Sequence, residues 1–172
     1  MATTYTLISS NTLSASAASV TFSSIPSTYT DLVLRVSART DVNANDQIVL
    51  QINTDTGTNY SKTRLYGNGA SAGSGQYSNS APSYTGYNLV GSGATASTFS
   101  NAEFYIPNYT SSANKPISQF GVEETNATTA YMSADAILWR GTSAITQLVL
   151  SSFQSGNFVS GSSFYLYGIK NS

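Results

Sequence analysis

The sequence predicts an all-β protein, an antiparallel β-sandwich, on three observations. Apolar and polar residues alternate at period two from end to end, while helical periodicity is nearly absent. Clusters of Ser, Gly and Asn interrupt the alternation at even spacing, which is the pattern of many short strands in a sandwich or barrel. Hydrophobic residues make up 40% of the chain and aromatic residues 12%, a composition that folds, because disordered chains are poor in aromatic and β-branched residues. At 172 residues the chain reads as one domain over 1–172, long enough to bury a sizeable core.

The strands follow in order. Tyr5–Ile8 and Val20–Phe22 read as an opening pair, the second ended by Pro26. In Asp31–Arg39, Leu32, Leu34, Val36 and Ala38 point one way, and Arg35, Ser37 and Arg39 the other. Gln47–Asn53 repeats the pattern with Ile48, Leu50 and Ile52 inward. The turn formers of 40–46 join these two as a hairpin or a sheet-changing corner. Thr58–Tyr66 is a further candidate, and Asn101–Ile106 puts Ala102, Phe104 and Ile106 on one face before Pro107 ends it. Ile117–Val122, Tyr131–Arg140, Ile145–Ser152 and Ser163–Ile169 complete about ten strands. Between Gly67 and Ser97 lies a Gly/Ser/Tyr-rich stretch with little aliphatic content. A segment that long is usually functional when it sits inside a compact domain. It reads as a surface insertion containing one or two short strands.

Composition narrows the chemistry. There is no histidine and no cysteine, and 7 basic and 8 acidic residues give a net charge of -1. Charged residues are 9% of the chain, against roughly 25% in ordinary soluble domains. In their place stand 30 Ser and 21 Thr. Scattered cations make no nucleic-acid footprint and no anionic-membrane patch. Without cysteine there is no disulfide framework and no thiolate metal site. Met1–Tyr5 has neither a basic n-region nor an apolar run, so it does not read as a signal peptide.

Few constellations remain that bear chemistry. Acid–base catalysis needs carboxylates placed in a cleft. Most of the eight acids read instead as turn caps or solvated strand faces, with Glu103 and Asp135 opposite small or apolar neighbours. Ser112-Ala113-Asn114-Lys115 fits Ser-x-x-Lys, but the companion elements of that nucleophilic machinery are missing and Pro116 follows directly. Asp41–Asp46 offers calcium-like oxygen ligands, yet Asp46 stands where the calcium loop needs glycine, and an Asx-rich turn explains it without an ion. No metal or cofactor is expected, and the chain reads as a non-enzyme. Trp139 reads as core or sheet face rather than as a sugar platform.

Tyrosines are the better candidates for contact. Tyr supplies large area at low entropy cost, and Ser, Gly and Asn supply adaptable hydrogen bonds. Tyr77, Tyr84 and Tyr87, all in the insertion, therefore form the candidate contact surface. Rings packed on the sandwich with wet hydroxyls are an equally good account.

The two ends of the chain carry a resemblance. Leu148–Ser152, Gly156-Asn157-Phe158 and Gly161-Ser162-Ser163-Phe164-Tyr165-Leu166-Tyr167-Gly168-Ile169-Lys170 resemble the closing strands of a group of bacteriophage virion proteins that end in a GSxFxLYGI strand. Tyr5–Ile8, Val20–Pro26 and Tyr29–Leu34 are similar to the front of the same group. The resemblance covers about half the chain and fades in the 67–97 insertion. It implies a jelly-roll-like β fold and a structural role on a virus particle. On that basis the expectation is a capsid decoration (cement) protein, a homotrimer on the major capsid protein of its phage, assembled in the host cytoplasm. The alternative is a receptor- or glycan-binding head of a tail fibre with an exposed tyrosine cluster.

Overall fold

The computed structural model describes residues 4–43, 45–124 and 129–170, and the backbone alone for 83–88. Twelve strands run β1 Tyr5–Thr12, β2 Ser19–Phe22, β3 Asp31–Ala38, β4 Asp46–Ile52, β5 Tyr60–Gly67, β6 Ala72–Ser80, β7 Ser83–Leu89, β8 Ser100–Ile106, β9 Lys115–Glu123, β10 Tyr131–Trp139, β11 Leu148–Ser152 and β12 Ser163–Ile169. No helix occurs among the described residues. The strands form an eight-stranded sheet, β1-β12-β3-β8-β9-β10-β5-β6, and a four-stranded sheet, β2-β11-β4-β7. Every pairing between these strands is antiparallel. The architecture is the predicted antiparallel β-sandwich.

The pairing is nested. β1 pairs with β12, β2 with β11, β3 with β8 and β4 with β7. Successive segments cross from one sheet to the other, so the opening strands β1 and β2 are not partners. They lie in different sheets, each paired with a strand from the far end of the chain. The alternation that defined them says which residues point together, and nothing about which strand lies alongside. The turn at 40–46 is likewise a sheet-changing corner, since β3 and β4 lie in different sheets. The strands β5, β6, β9 and β10 stand outside this nest and extend the larger sheet on one side.

The core sits between the sheets where both are present. Leu32, Leu34, Val36 and Ala38 from β3 meet Ile48, Leu50 and Ile52 from β4, with Phe104, Leu148, Leu150, Phe164 and Leu166, all buried. Phe158 packs edge-on against Phe164, ring centroids 5.0 Å apart. Each of the valine, leucine, isoleucine and phenylalanine side chains contributes about 1.5–3 kcal/mol by leaving water. Arg39 does not follow the outward phase of β3. It is buried, and its guanidinium donates to the carbonyls of Ala94 (3.0 Å), Thr95 (2.8 Å) and Thr98 (3.1 Å), so it holds the loop that follows β7.

The Gly67–Ser97 stretch contains two strands. β6 is the exposed edge of the large sheet, whereas β7 joins the small sheet beside β4, and Leu89 at its end and Val90 after it are fully buried. The stretch therefore supplies part of the sandwich as well as surface.

Leu34→Ala is expected to cost about 2–5 kcal/mol, because a buried leucine leaves a cavity. Glu103→Ala removes only the exposed 2.8 Å pair with Arg35 and is expected to cost less than about 1 kcal/mol. Urea denaturation of the two variants tests the contrast.

Candidate functional site

The extension strands β5, β9 and β10 invert the usual polarity of a sheet. Their inner face carries Lys62 and Arg64 from β5, Lys115, Gln119 and Glu123 from β9, and Ser133 and Asp135 from β10, all buried. Register places Asp135 between Arg64 and Gln119 on neighbouring strands. Asp135 is thus an interior carboxylate, and the expectation of a solvated face fails for it. The reason is that Ala134 and Ala136, the small residues of the opposite phase, face outward. β7 lies against β5, β9 and β10 and covers part of this polar face.

Aromatic rings share the interior with these cations. The Lys62 ammonium lies 4.8 Å from the Tyr77 ring centre, and the Arg64 guanidinium 5.0 Å from Tyr66 and 5.8 Å from Tyr77. Such placements are attractive by about 0.5–2 kcal/mol each. Burial pulls the Lys62 pKa down to about 8, with Asp135 opposing the shift and Arg64 adding to it. A β-carbon at Gly73 would lie 2.6 Å from the Tyr66 ring, so only glycine lets β6 pass over it. Tyr66 also stacks on Tyr131 at 6.0 Å and 4°. That pair was not singled out in the sequence, because the two tyrosines are far apart along the chain.

Of the three tyrosines read as a contact surface, Tyr77 is half-buried and engaged with Lys62 and Arg64. The backbones of Tyr84 and Tyr87 pair with Val49 and Gln47 of β4. Their side chains lie outside the described residues.

The outer face of the same strands is uncharged. It presents Pro116, Ser118, Phe120 and Val122 from β9, Met132, Ala134, Ala136 and Leu138 from β10, and Ser61, Thr63 and Leu65 from β5. Leu65 is 62% exposed, Phe120 49% and Met132 37%. Two apolar grooves cross it. One, about 300 Å³, lies between Thr63, Leu65, Ser118 and Ala134, and the other, about 260 Å³, lies between Tyr105, Pro107, Pro116 and Ala136. Large exposed apolar patches on a folded domain mark interaction sites.

The remaining candidates resolve into structure. Lys115 is fully buried, and its ammonium donates to the carbonyls of Ala113 (2.6 Å), Ser111 (2.8 Å) and Ser143 (3.2 Å) beside the Trp139 ring. Burial lowers its pKa. Ser112 is exposed and does not form the hydroxyl–amine pair that Ser-x-x-Lys chemistry requires. Trp139 is buried, donates its indole N–H to Asp55 at 2.7 Å, and is core rather than platform. That hydrogen bond is the main reason the Asp55 pKa is lowered.

The Asp41–Asp46 turn does not gather its carboxylates. Asp41 accepts from the Asn157 backbone (2.8 Å) and side chain (2.9 Å), and Asp46 accepts from Ser152, Gln47 and Gln154. No cluster of three or more acidic, His or Cys residues suited to a metal ion occurs among the described residues. Compared with known protein families and with curated proteins, the sequence matches none.

Glu123 is a buried carboxyl group. It is 1% exposed, and neither carboxyl oxygen has a hydrogen-bond partner among the described residues. Burial pushes its pKa up to about 9, with the Asp46 charge adding to the shift. The folded chain therefore holds this proton between pH 4.5 and about 9, where the unfolded chain has released it. Stability is expected to fall as pH rises through that window, because the unfolded chain there binds fewer protons than the folded one. Glu123→Gln is expected to flatten the slope, as read by denaturant midpoints from pH 5 to 9. Lys115→Met leaves buried carbonyls without a donor and is expected to cost about 3 kcal/mol or more at pH 7, read by the same titration.

Proposed function

We propose that the chain is a non-enzymatic structural protein of a bacteriophage particle that decorates and stabilises the shell. The nested strand order carries this reading. Set apart from the extension, β1-β12-β3-β8 faces β2-β11-β4-β7, and that order supports reading the eight strands as a double-sheet jelly roll, an architecture recurrent in viral capsid proteins. The two terminal segments that resemble virion proteins also form one unit. β1 and β12 are hydrogen-bonded neighbours from Tyr5↔Ile169 to Thr12↔Ser163, and β2 lies beside β11.

The chemistry fits a role of contact rather than turnover. The chain has no histidine or cysteine. Asp31 accepts from Tyr105 and the Asn108 backbone, Asp41, Asp46 and Asp55 bind backbone or side-chain donors, and Glu103 pairs with Arg35. Each of these carboxylates thus has a local structural partner. What the surface offers a shell lattice is hydroxyls and backbone edges. The partner under this reading is the major capsid protein, bound by shape and hydrogen bonds.

The test is binding of purified protein to particles that lack it. Saturable binding to the shell, at a copy number set by the shell lattice, is expected. Its affinity should change by less than about threefold between low and high salt, because few charges are available to be screened. Binding to tail assemblies or to host cells instead would replace this reading with the fibre-head alternative.

A further inference from the structure

The outer face of β9, β10, β5 and β6 has no charged residue. Beside the positions named above, β6 contributes Ala72, Ser74 and Gln76, in register with Gly67, Leu65 and Thr63. The charged residues of these strands, Lys62, Arg64, Lys115, Glu123 and Asp135, all face inward. Charges on the outer face resume on the neighbouring strand β8, where Glu103 pairs with Arg35 of β3. A chain with so few charged residues has placed five of them inside and left this face bare.

We infer that this face is a self-association surface, on which two copies of the chain pack outer face to outer face about a twofold axis. Three features select a second copy as the occupant. The first is charge. An uncharged face gives an ionic partner nothing to pair with, whereas a like face brings no charge to desolvate. The second is relief. Leu65, Ala134 and Phe120 occupy one cross-strand row, so two ridges flank a trough of alanines. A twofold axis parallel to the strands, between β10 and β5, lays each copy's Leu65 over the other's Ala134 and each Phe120 over the other's Ser74, so that all four strands face one another and ridge meets trough. Sheets stacked face to face at about 10 Å accommodate such side chains.

The third feature is area. Four strands of eight or nine residues give a flat footprint of roughly 19 Å by 28 Å, about 500 Å² before side-chain relief is added. Stable interfaces begin at about 600 Å² per partner. The same patch on both copies makes the contact isologous, and an isologous contact closes as a dimer. The inference does not rest on the virion reading, since any assembly protein with this face would pair in the same way, and it sets a dimer in place of the homotrimer expected from the resemblance.

Sedimentation equilibrium and native mass measurement of the full chain test it. The expected result is a species of twice the 18.1 kDa chain mass. Leu65→Glu with Phe120→Glu brings four like charges to the axis and is expected to weaken association by about a hundredfold or more. Leu7→Glu, at a 50% exposed apolar position on β1, is expected to leave the dimer intact. Leu65→Glu alone, at the most exposed of these positions, reads the same loss if the double variant does not fold. A monomer or trimer in the unmodified protein overturns the inference, and so does a dimer that survives Leu65→Glu. Failure to bind particles, with the dimer intact, bears on the virion reading alone.

Discussion

The larger sheet has eight strands and the sheet facing it has four. Much of the molecule follows from that mismatch. Where β3, β8 and β12 lie opposite β2, β11 and β4, two apolar inner faces meet and the core is aliphatic and aromatic. Toward β5 and β6 the described residues form no complete second layer, and β7 crosses the inner surface of β5, β9 and β10. An apolar face there would stay partly wet. Instead the inner positions are long polar chains and tyrosines that fill space while keeping hydrogen-bonding or ring partners.

Charged groups inside a sandwich destabilise it unless they are satisfied. The chain meets that condition in more than one way. Lys115 draws the 111–113 and 143 carbonyls around its ammonium, so one side chain closes two loops at the end of β9. Arg39 does the same for the 94–98 loop, and Asp46 for the turn after β11. In a chain without disulfides these buried groups act as internal cross-links. Glu123 is the exception. It remains neutral rather than paired, which makes it the point where interior polarity carries a pH-dependent cost.

The sequence revealed strands well and neighbours poorly. Period-two alternation located β3, β4, β8 and β12 because each carries aliphatic residues in one phase only. It could not place β1 beside β12, since that contact spans the whole chain and leaves no local signal. β10 is harder still. Met132, Ala134, Ala136 and Leu138 form one apolar phase, and Ser133, Asp135, Ile137 and Trp139 form a mixed one. Hydropathy alone sends the first phase inward, and the structure sends the second. The candidate face was therefore hidden by the same rule that revealed the fold, while Lys115 was legible as a motif and misleading as chemistry.

What fixes the inverted phase is the end of these strands nearest the true core. Tyr60, Ile117, Ile137 and Trp139 all lie on the inner face and are buried to 2% exposure or less. Moving β5, β9 and β10 by one residue would bring Leu65, Phe120 and the alanines inside, but it would also expel those four large side chains. Their burial outweighs the cost of carrying Lys62, Arg64 and Asp135 on the same face. The polar interior and the bare outer face are thus two consequences of one register, set by the apolar ends of three strands. Substitutions that only recharge the outer face leave those anchors untouched, so the surface can change without the fold losing its phase.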